Sequence, residues 1–317
     1  MRGVFLDLDS IHPADLILDT LQNCLDDWQL YPATGEHQIS KHITGAHVVV
    51  SNKVPLLREH LRCAPDLKLI CVAATGTNNI DLNAARDAGI AVCNARNYAT
   101  ASVTEAVFTL LLTLTRQLDN YRQRVDKGDW VNSPHFCVFD QTIEELHGKT
   151  LGIIGHGVLG QSVGQLARAF HMQVLVAQRL YAPPIEGRVA LEQLLAESDA
   201  ISLHCPLADQ TRHLIGRPEL QAMKDSALLI NTARGGIVDE FALVEALQKR
   251  WIAGAGVDVL STEPPREHNP LLDYRSPRLI VTPHIAWASR SARQQLLSEI
   301  VSNIRAFKAG EIRNQVA

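Results

Sequence analysis

A chain of 317 residues, 46% hydrophobic and 20% charged, has the balance of an ordinary folded protein and enough length for two cores. Its formal net charge is -4 and it has no Lys/Arg-rich block, which argues against a nucleic-acid or membrane partner. The opening "MRGVFLDLDS" carries acids and no long apolar stretch, so it is not expected to be a secretory signal. Six scattered cysteines without a CxxC pair point to reduced thiols in a cytoplasmic protein. No His/Cys group has zinc-ligand spacing, His42 and His47 standing five apart without supporting ligands, so no metal is expected.

Over the first hundred residues the short apolar runs "GVFLDL", "HVVVSN", "LKLICVA" and "GIAVCN" are predicted strands. Between them lie "ADLILDTLQNCL", "VPLLREHLRCA" and "IDLNAARDAG", whose apolar residues recur at helical spacing. This alternation predicts a parallel sheet with helices on its faces. The most apolar segment, "AVFTLLLTLT" at 106–115, is too short and too Thr-rich to span a bilayer and is predicted to be a buried helix. From Lys149 the pattern restarts: strand "KTLGIIG", then helix "VLGQSVGQLARAF" with Leu159, Val163, Leu166 and Phe170 on one face, then strand "MQVLVAQ". Helix "LEQLLAESDA", strand "AISLHCPL", helix "PELQAMKD", strand "ALLINTA", helix "EFALVEALQKR", strand "AGAGVDVL", a Pro-rich loop and strand "RLIVTPHIA" follow. The last segment, "SRSARQQLLSEIVSNIRAFKAGE", is an amphipathic helix with Ser289 or Ser291 as N-cap. The fold class is therefore α/β, with two doubly wound parallel-sheet domains.

"GHGVLG" (Gly155, His156, Gly157, Val158, Leu159, Gly160) fits GxGxxG, follows an apolar strand and opens an amphipathic helix. The first glycine allows a tight turn, the second lets backbone approach a pyrophosphate, and the third lets helix and strand pack closely. The pyrophosphate would sit on free N–H groups at the helix N-terminus. The next strand ends at Gln178, 23 residues after Gly155, where an NAD site normally has an Asp or Glu for the ribose 2′-hydroxyl. Here neutral Gln178 is followed by Arg179. Either Arg179 pairs with a 2′-phosphate, giving tolerance of NADP, or Gln178 bonds the ribose and Arg179 is solvated. Arg234, Glu263 and His284 stand at later strand ends or just after them, separated by 29 and 21 residues, about one structural unit each. Reducing a ketone by hydride leaves an alkoxide that needs a proton, which a histidine can supply. A carboxylate on the far imidazole nitrogen would favour imidazolium and fix the ring. An arginine can hold an α-carboxylate through two parallel bonds.

With those residues in place, the chain resembles the D-isomer-specific 2-hydroxyacid dehydrogenase family over essentially its whole length. The matching stretches are "AATGTNNIDL", "GKTLGIIGHGVLG", "LHCPLADQTRHLI", "LLINTARGGIVDEFALVEAL", "AGAGVDVLSTEPP" and "LIVTPHIAWAS". Within the family it looks most like the glycerate dehydrogenase (hydroxypyruvate reductase) branch, through "SNKVPL", "SPHFCVFD" and "HIAWASR". The resemblance implies a Rossmann-type cofactor domain, 100–287, and a flavodoxin-like substrate domain, 1–99 and 288–317, with a cleft between. It implies that Arg234 binds the substrate carboxylate, that His284 is the acid/base and that Glu263 is its partner. Ala74, Thr75, Gly76 and Thr77 would bind the substrate through their backbone. His204, Cys205, Pro206, Thr211, Thr232 and Ala233 would line the cofactor cleft, bordered by Arg234 and His284, with Asp258 on the nicotinamide amide. The implied substrate is a small 2-oxo or 2-hydroxy acid, the cofactor NAD or NADP, and the assembly a homodimer built on the helix "ASVTEAVFTLLLTLTR" and the arm after it. The competing expectation for that helix is a buried intradomain element, which the resemblance places second. Lys53 is expected near the substrate or on the surface, Trp287 in the pocket wall or in the hinge and core, and Trp130 at a neighbouring subunit's site or on the surface. Glu263 disfavours a formate dehydrogenase, whose place for it would hold Gln, and no residues remain for the regulatory domain of a phosphoglycerate dehydrogenase. A phosphite dehydrogenase and a dinucleotide-sensing corepressor scaffold share the Arg/Glu/His set.

Overall fold

The computed structural model describes residues 1–179 and 182–317. The chain divides into two compact units, Met1–Ala99 with Trp287–Ala317, and Thr100–Ala286. The first unit is built on a parallel sheet of β1 (Arg2–Phe5), β2 (Asp27–Leu30), β3 (Val48–Ser51), β4 (Leu69–Val72) and β5 (Ala91–Cys93). Its order, β2-β1-β3-β4-β5, is the flavodoxin-like one. β3 and β4, "VVVS" and "LICV", are buried at every position, as central strands covered on both faces must be. One face packs Val4, Val49, Ile70 and Val92 against Ile39, Ile43 and Leu61. The other packs Phe5, Val50, Leu69 and Cys71 against Leu296, Leu297, Ile300 and Ile304 of the Arg290–Lys308 helix. Ser289 is that helix's cap, its Oγ accepting from Ala292 N at 3.2 Å. Buried Arg293 holds the helix to the start of the chain, donating to the Asp15 carboxylate and to the carbonyls of Ile11 and His12.

Three expectations change in this unit, the helix expected across "VPLLREHLRCA" being only Arg58–Arg62. β2 was not anticipated, because "DWQL" is a charged edge strand with every other residue exposed. The helix expected across "ADLILDTLQNCL" shrinks to Asp19–Gln22, since Leu16 is extended (ψ 155) after a 3-10 turn at Pro13–Asp15. The apolar residues that suggested a longer helix, Leu21, Cys24 and Leu25, are buried all the same.

The second unit carries β6 (Thr150–Ile154), β7 (Gln173–Val176), β8 (Ala200–Leu203), β9 (Leu228–Asn231), β10 (Gly254–Val257) and β11 (Leu279–Val281). They form one parallel sheet in the order β11-β10-β9-β8-β6-β7. Val189 extends it by a single parallel bridge to Ala177, with Gln178 N donating to Val189 O at 2.7 Å and Val189 N to Val176 O at 2.9 Å. Counting Val189 as a strand of one residue, the order is that of a dinucleotide-binding sheet, reversing direction between β6 and β8. At such a reversal the loops leave a crevice at the carboxyl ends of the strands.

The inward face of the Val158–Ala169 helix includes most of the one expected: Val163 is buried, and Leu166 and Phe170 pack against the same core. Its buried residues are Gly160, Val163, Gly164 and Ala167, whereas Leu159 and Leu166 are half-buried. The helix lies so close to β6 that a Cβ on Gly160 would fall 2.1 Å from Gly155 O, and one on Gly164 3.2 Å from the Ile153 side chain. Small residues are the ones that fit. The Thr100–Thr115 helix spends its apolar residues within the unit: Val107, Phe108, Leu110, Leu111 and Leu114 join Leu151, Ile153, Leu228 and Ile230 in one core. No helix among the described residues is long and apolar enough to cross a membrane.

Ile300 is fully buried, so Ile300→Ala is expected to cost about 2–5 kcal/mol of stability, seen as a lower urea midpoint at unchanged slope. An unchanged midpoint would show that the last helix is not part of the first unit's core.

Candidate active site

The glycine loop follows directly from β6. Gly155 has φ +95, and a Cβ there would lie 2.5 Å from both His204 C and Cys205 N, so the turn is pressed against the end of β8. A Cβ on Gly157 would meet nothing within 4 Å, so this face of the loop is open. Gly157 is the N-cap of the Val158–Ala169 helix and makes no side-chain cap bond, leaving the first helical N–H groups to an incoming anion. Buried polar atoms nearly always find partners. Five buried side-chain atoms in the described residues have none, and three of them are Gln178 Oε1, His204 Nδ1 and Thr232 Oγ1. These three stand just beyond β7, β8 and β9, on the edge that carries the glycine loop. Their chemistry, and the open face at Gly157, fit a bound dinucleotide.

His204 is held by a 2.8 Å hydrogen bond between its Nε2 and Ser202 Oγ, and burial pushes its pKa down to about 4, so it is neutral at pH 7. Burial likewise raises the Cys205 thiol. Pro206 is exposed, and Thr211 Oγ1 donates to Pro206 O (2.7 Å) and accepts from Ala208 N (2.8 Å), closing the loop between them. Val158 and Arg179 are exposed, and Gln178 Nε2 approaches Ile185 O at 3.5 Å.

Three loops at the carboxyl ends of β9, β10 and β11 carry the remaining residues. At the first, buried Asn231 shapes the turn: its Oδ1 accepts from Ala233 N (3.1 Å) and its Nδ2 donates to Arg234 O (3.0 Å). Arg234 is exposed, donates to Ala233 O (2.7 Å), and pairs with no carboxylate among the described residues. The two glycines after it have separate reasons. A Cβ on Gly235 would lie 1.8 Å from Leu260 O, so this turn abuts the segment leading to Glu263, and Gly236 has φ +78.

Glu263 accepts from Leu260 N (2.9 Å) through Oε1 and from His284 Nδ1 (2.6 Å) through Oε2. Both side chains of this pair are about one-third exposed or less. The segment before Glu263 is pinned by Glu240, which accepts from Ser261 N (2.7 Å), Ser261 Oγ (2.9 Å) and Asn269 Nδ2 (2.9 Å). His284 has φ +56, a left-handed conformation that histidine adopts more readily than most residues. Its N–H donates to Asp258 O at 2.8 Å. The Asp258 carboxylate, 1% exposed, accepts from Thr282 Oγ1, Ile285 N (2.9 Å) and Ala286 N (2.8 Å). The resemblance implied a contact with the nicotinamide amide for Asp258; in the structure its carboxylate anchors the loop that presents His284. Asn231, Glu240 and this anchoring role of Asp258 were not anticipated. The signal for Asp258 was an acid ending the buried strand "AGAGV", where only a hydrogen-bonded carboxylate is tolerated.

In the first unit, Ala74, Thr75, Gly76 and Thr77 follow β4. Asn94 Nδ2 donates to Thr75 O (2.7 Å), Thr75 Oγ1 to Ala95 O (2.9 Å) and Ala95 N to Ala74 O (3.0 Å). Lys53 is exposed, and its N–H donates to Asp7 at 2.7 Å. Asp7, also unanticipated, is buried after β1 and collects the N–H groups of Asn52 and Val54 as well; burial raises its pKa. Trp287 packs edge-on against Tyr98 with ring centroids 6.2 Å apart, a core position. Trp130 is 54% exposed and donates to Phe136 O at 2.9 Å.

Residues 108–286 match the family model of the D-isomer specific 2-hydroxyacid dehydrogenase NAD binding domain. The chain is 48% identical over 279 residues to a glycerate dehydrogenase of Methylorubrum extorquens, with 88% of each chain covered. It is 36% identical to a hydroxypyruvate reductase of Blautia hydrogenotrophica across all of this chain and 99% of the relative. The solved D-lactate dehydrogenase of Aquifex aeolicus, complexed with NAD and lactic acid, has a TM-score of 0.83 at 29% identity, covering 98% of this chain and 96% of that one. A glycine loop fitted to a dinucleotide and a His–Glu pair on the same sheet edge agree with these likenesses: the chain belongs to the D-isomer-specific 2-hydroxyacid dehydrogenase family and is an NAD(P)-dependent oxidoreductase.

Proposed function

We propose that the protein reduces a small 2-oxo acid of the hydroxypyruvate or glyoxylate type to the D-2-hydroxy acid. The observation that carries this reading is the 2.6 Å hydrogen bond between His284 Nδ1 and Glu263, one loop away from an arginine with no acid partner among the described residues. An ionised carboxylate can only accept, so the proton lies on Nδ1 and Nε2 is the nitrogen left for the substrate. The nicotinamide, when bound, supplies the hydride that adds to C2. His284, protonated, gives its Nε2 proton to the carbonyl oxygen as that oxygen takes the electron pair of the C=O bond. In the oxidative direction the same nitrogen takes the proton back, and Glu263 stabilises the imidazolium and fixes its ring. Arg234 grips the α-carboxylate with two parallel N–H bonds and so aligns C2. Backbone groups of Ala74, Thr75, Gly76 and Thr77 serve as further substrate ligands.

The working form we propose is a homodimer in the cytoplasm. Val131, Phe136 and Phe139 are 89%, 90% and 80% exposed on one short arm, more apolar surface than a lone chain usually leaves to water. The cysteines are all free, and burial raises the thiols of Cys71 and Cys93, as suits a reducing compartment.

His284→Ala is expected to lower kcat for hydroxypyruvate by about 10²–10⁴ while cofactor binding, followed by fluorescence, persists. Near-normal turnover would remove His284 from the mechanism. Arg234→Lys is expected to raise KM for the 2-oxo acid by about tenfold to a hundredfold, because an ammonium cannot reproduce the fork. An unchanged KM would show that the carboxylate is held elsewhere. If the unaltered protein oxidised neither NADH nor NADPH with any 2-oxo acid, a dinucleotide-sensing scaffold would be the better reading.

A further inference from the structure

We propose that Asn303 and residues 313–317 are positioning groups for the substrate, aiming the Gly76 N–H through Asn94. The inference rests on the reading above that backbone groups of Ala74, Thr75, Gly76 and Thr77 hold the 2-oxo acid. The N–H groups of Thr75, Gly76 and Thr77 donate to no carbonyl among the described residues. This loop is held by its carbonyls instead: Ala74 O accepts from Ala95 N (3.0 Å), Thr75 O from Asn94 Nδ2 (2.7 Å) and Thr77 O from Ile80 N (3.0 Å). A trans peptide is planar, so its C=O and N–H point in opposite directions. The Asn94 bond to Thr75 O therefore sets the direction of the Gly76 N–H. That direction depends on a side chain, which must itself be held in place.

Asn94 is held from outside its own strand. It is 6% exposed, and its Oδ1 accepts from Arg96 Nε at 3.2 Å. Its N–H donates to Asn314 O at 3.1 Å, and its carbonyl accepts from Asn303 Nδ2 at 2.9 Å. Asn303, 1% exposed in the Arg290–Lys308 helix, also accepts through Oδ1 from Arg313 Nη1 (3.1 Å) and Asn314 Nδ2 (3.2 Å). Glu299, one helical turn earlier, takes Arg313 Nη2 at 3.0 Å and Asn314 Nδ2 at 3.3 Å. The residues that follow lie antiparallel along the edge strand β5: Gln315 bridges Cys93, Val316 N donates to Val92 O (2.8 Å) and Val92 N to Ala317 O (3.1 Å). Covering an edge strand would by itself account for that segment. It does not account for Asn303. An amide so buried is costly unless its donors and acceptors are met, and an apolar residue would serve the packing of helix on sheet. Asn303 instead joins the helix, the 313–317 segment and the residue that bonds Thr75 O.

The test is steady-state reduction of hydroxypyruvate by the intact protein, by Asn303→Ala, by Asn303→Asp and by a chain lacking residues 314–317. In each variant KM for hydroxypyruvate is expected to rise about three- to tenfold, with kcat within about twofold of the unaltered protein and NADH affinity unchanged. Asn303→Asp separates positioning from anchoring, since a carboxylate still accepts from Arg313 and Asn314 but cannot donate to Asn94 O. A normal KM in Asn303→Asp or in the shortened chain would overturn the proposal and leave the segment as a cover for β5. NADH affinity falling in step with the rise in KM would also overturn it, as the mark of a loosened fold. The unaltered protein separates the two readings. If it reduces no 2-oxo acid, both fall; if it turns over and the variants keep its KM, only the positioning role falls.

Discussion

The hydrogen bond from His284 to Glu263 is the contact around which the second unit is arranged. It joins the loops that follow the paired strands β10 and β11. Asp258 fixes one of them by taking a side-chain hydroxyl and two backbone N–H groups from residues 282–286. Glu240 fixes the other through Ser261 and Asn269. A carboxylate as buried as Asp258 is costly unless hydrogen-bonded, and its three donors supply that compensation. The bond is therefore preorganised by neighbouring groups, which in the proposed mechanism spares the reaction the cost of assembling it.

Parallel topology explains why such different residues share one edge. Every strand of the six-stranded sheet points the same way, so the loops after β6, β8, β9, β10 and β11 all emerge together. The loop after β6 meets the end of β8 at the strand-order reversal, and the close fit of Gly155 against His204 and Cys205 is the physical form of that crossing. Gly235 does the same between the turns after β9 and β10. Glycines at these places permit backbone-to-backbone approach, and with it the packing of a cofactor edge against a chemical edge.

What was legible in the sequence was whatever depends on local spacing. The glycine loop, a serine cap at Ser289 or Ser291, the apolar runs of the central strands and the polar residues after β9–β11 all announce themselves within a few neighbours. What stayed hidden depends on distant partners. β2 is a charged edge strand that exists because β1 lies beside it, and Val189 joins the sheet as a single residue paired with Ala177. Gly164 and Ala167 on the inward face of the Val158–Ala169 helix were missed because closeness to β6, rather than leucine content, selects them. Asp7 and Asp258 look like ordinary strand-end acids until the backbone N–H groups they collect, 27 to 47 residues away, are known.

The account stands most directly on Glu263 acting through His284, and a double-mutant cycle measures that. The quantity is kcat/KM for hydroxypyruvate in Glu263→Gln, His284→Ala and the two combined. The account predicts that the combined variant is no slower than His284→Ala alone, because a partner has nothing to orient once the imidazole is gone. Independent losses that multiply in the combined variant would contradict it.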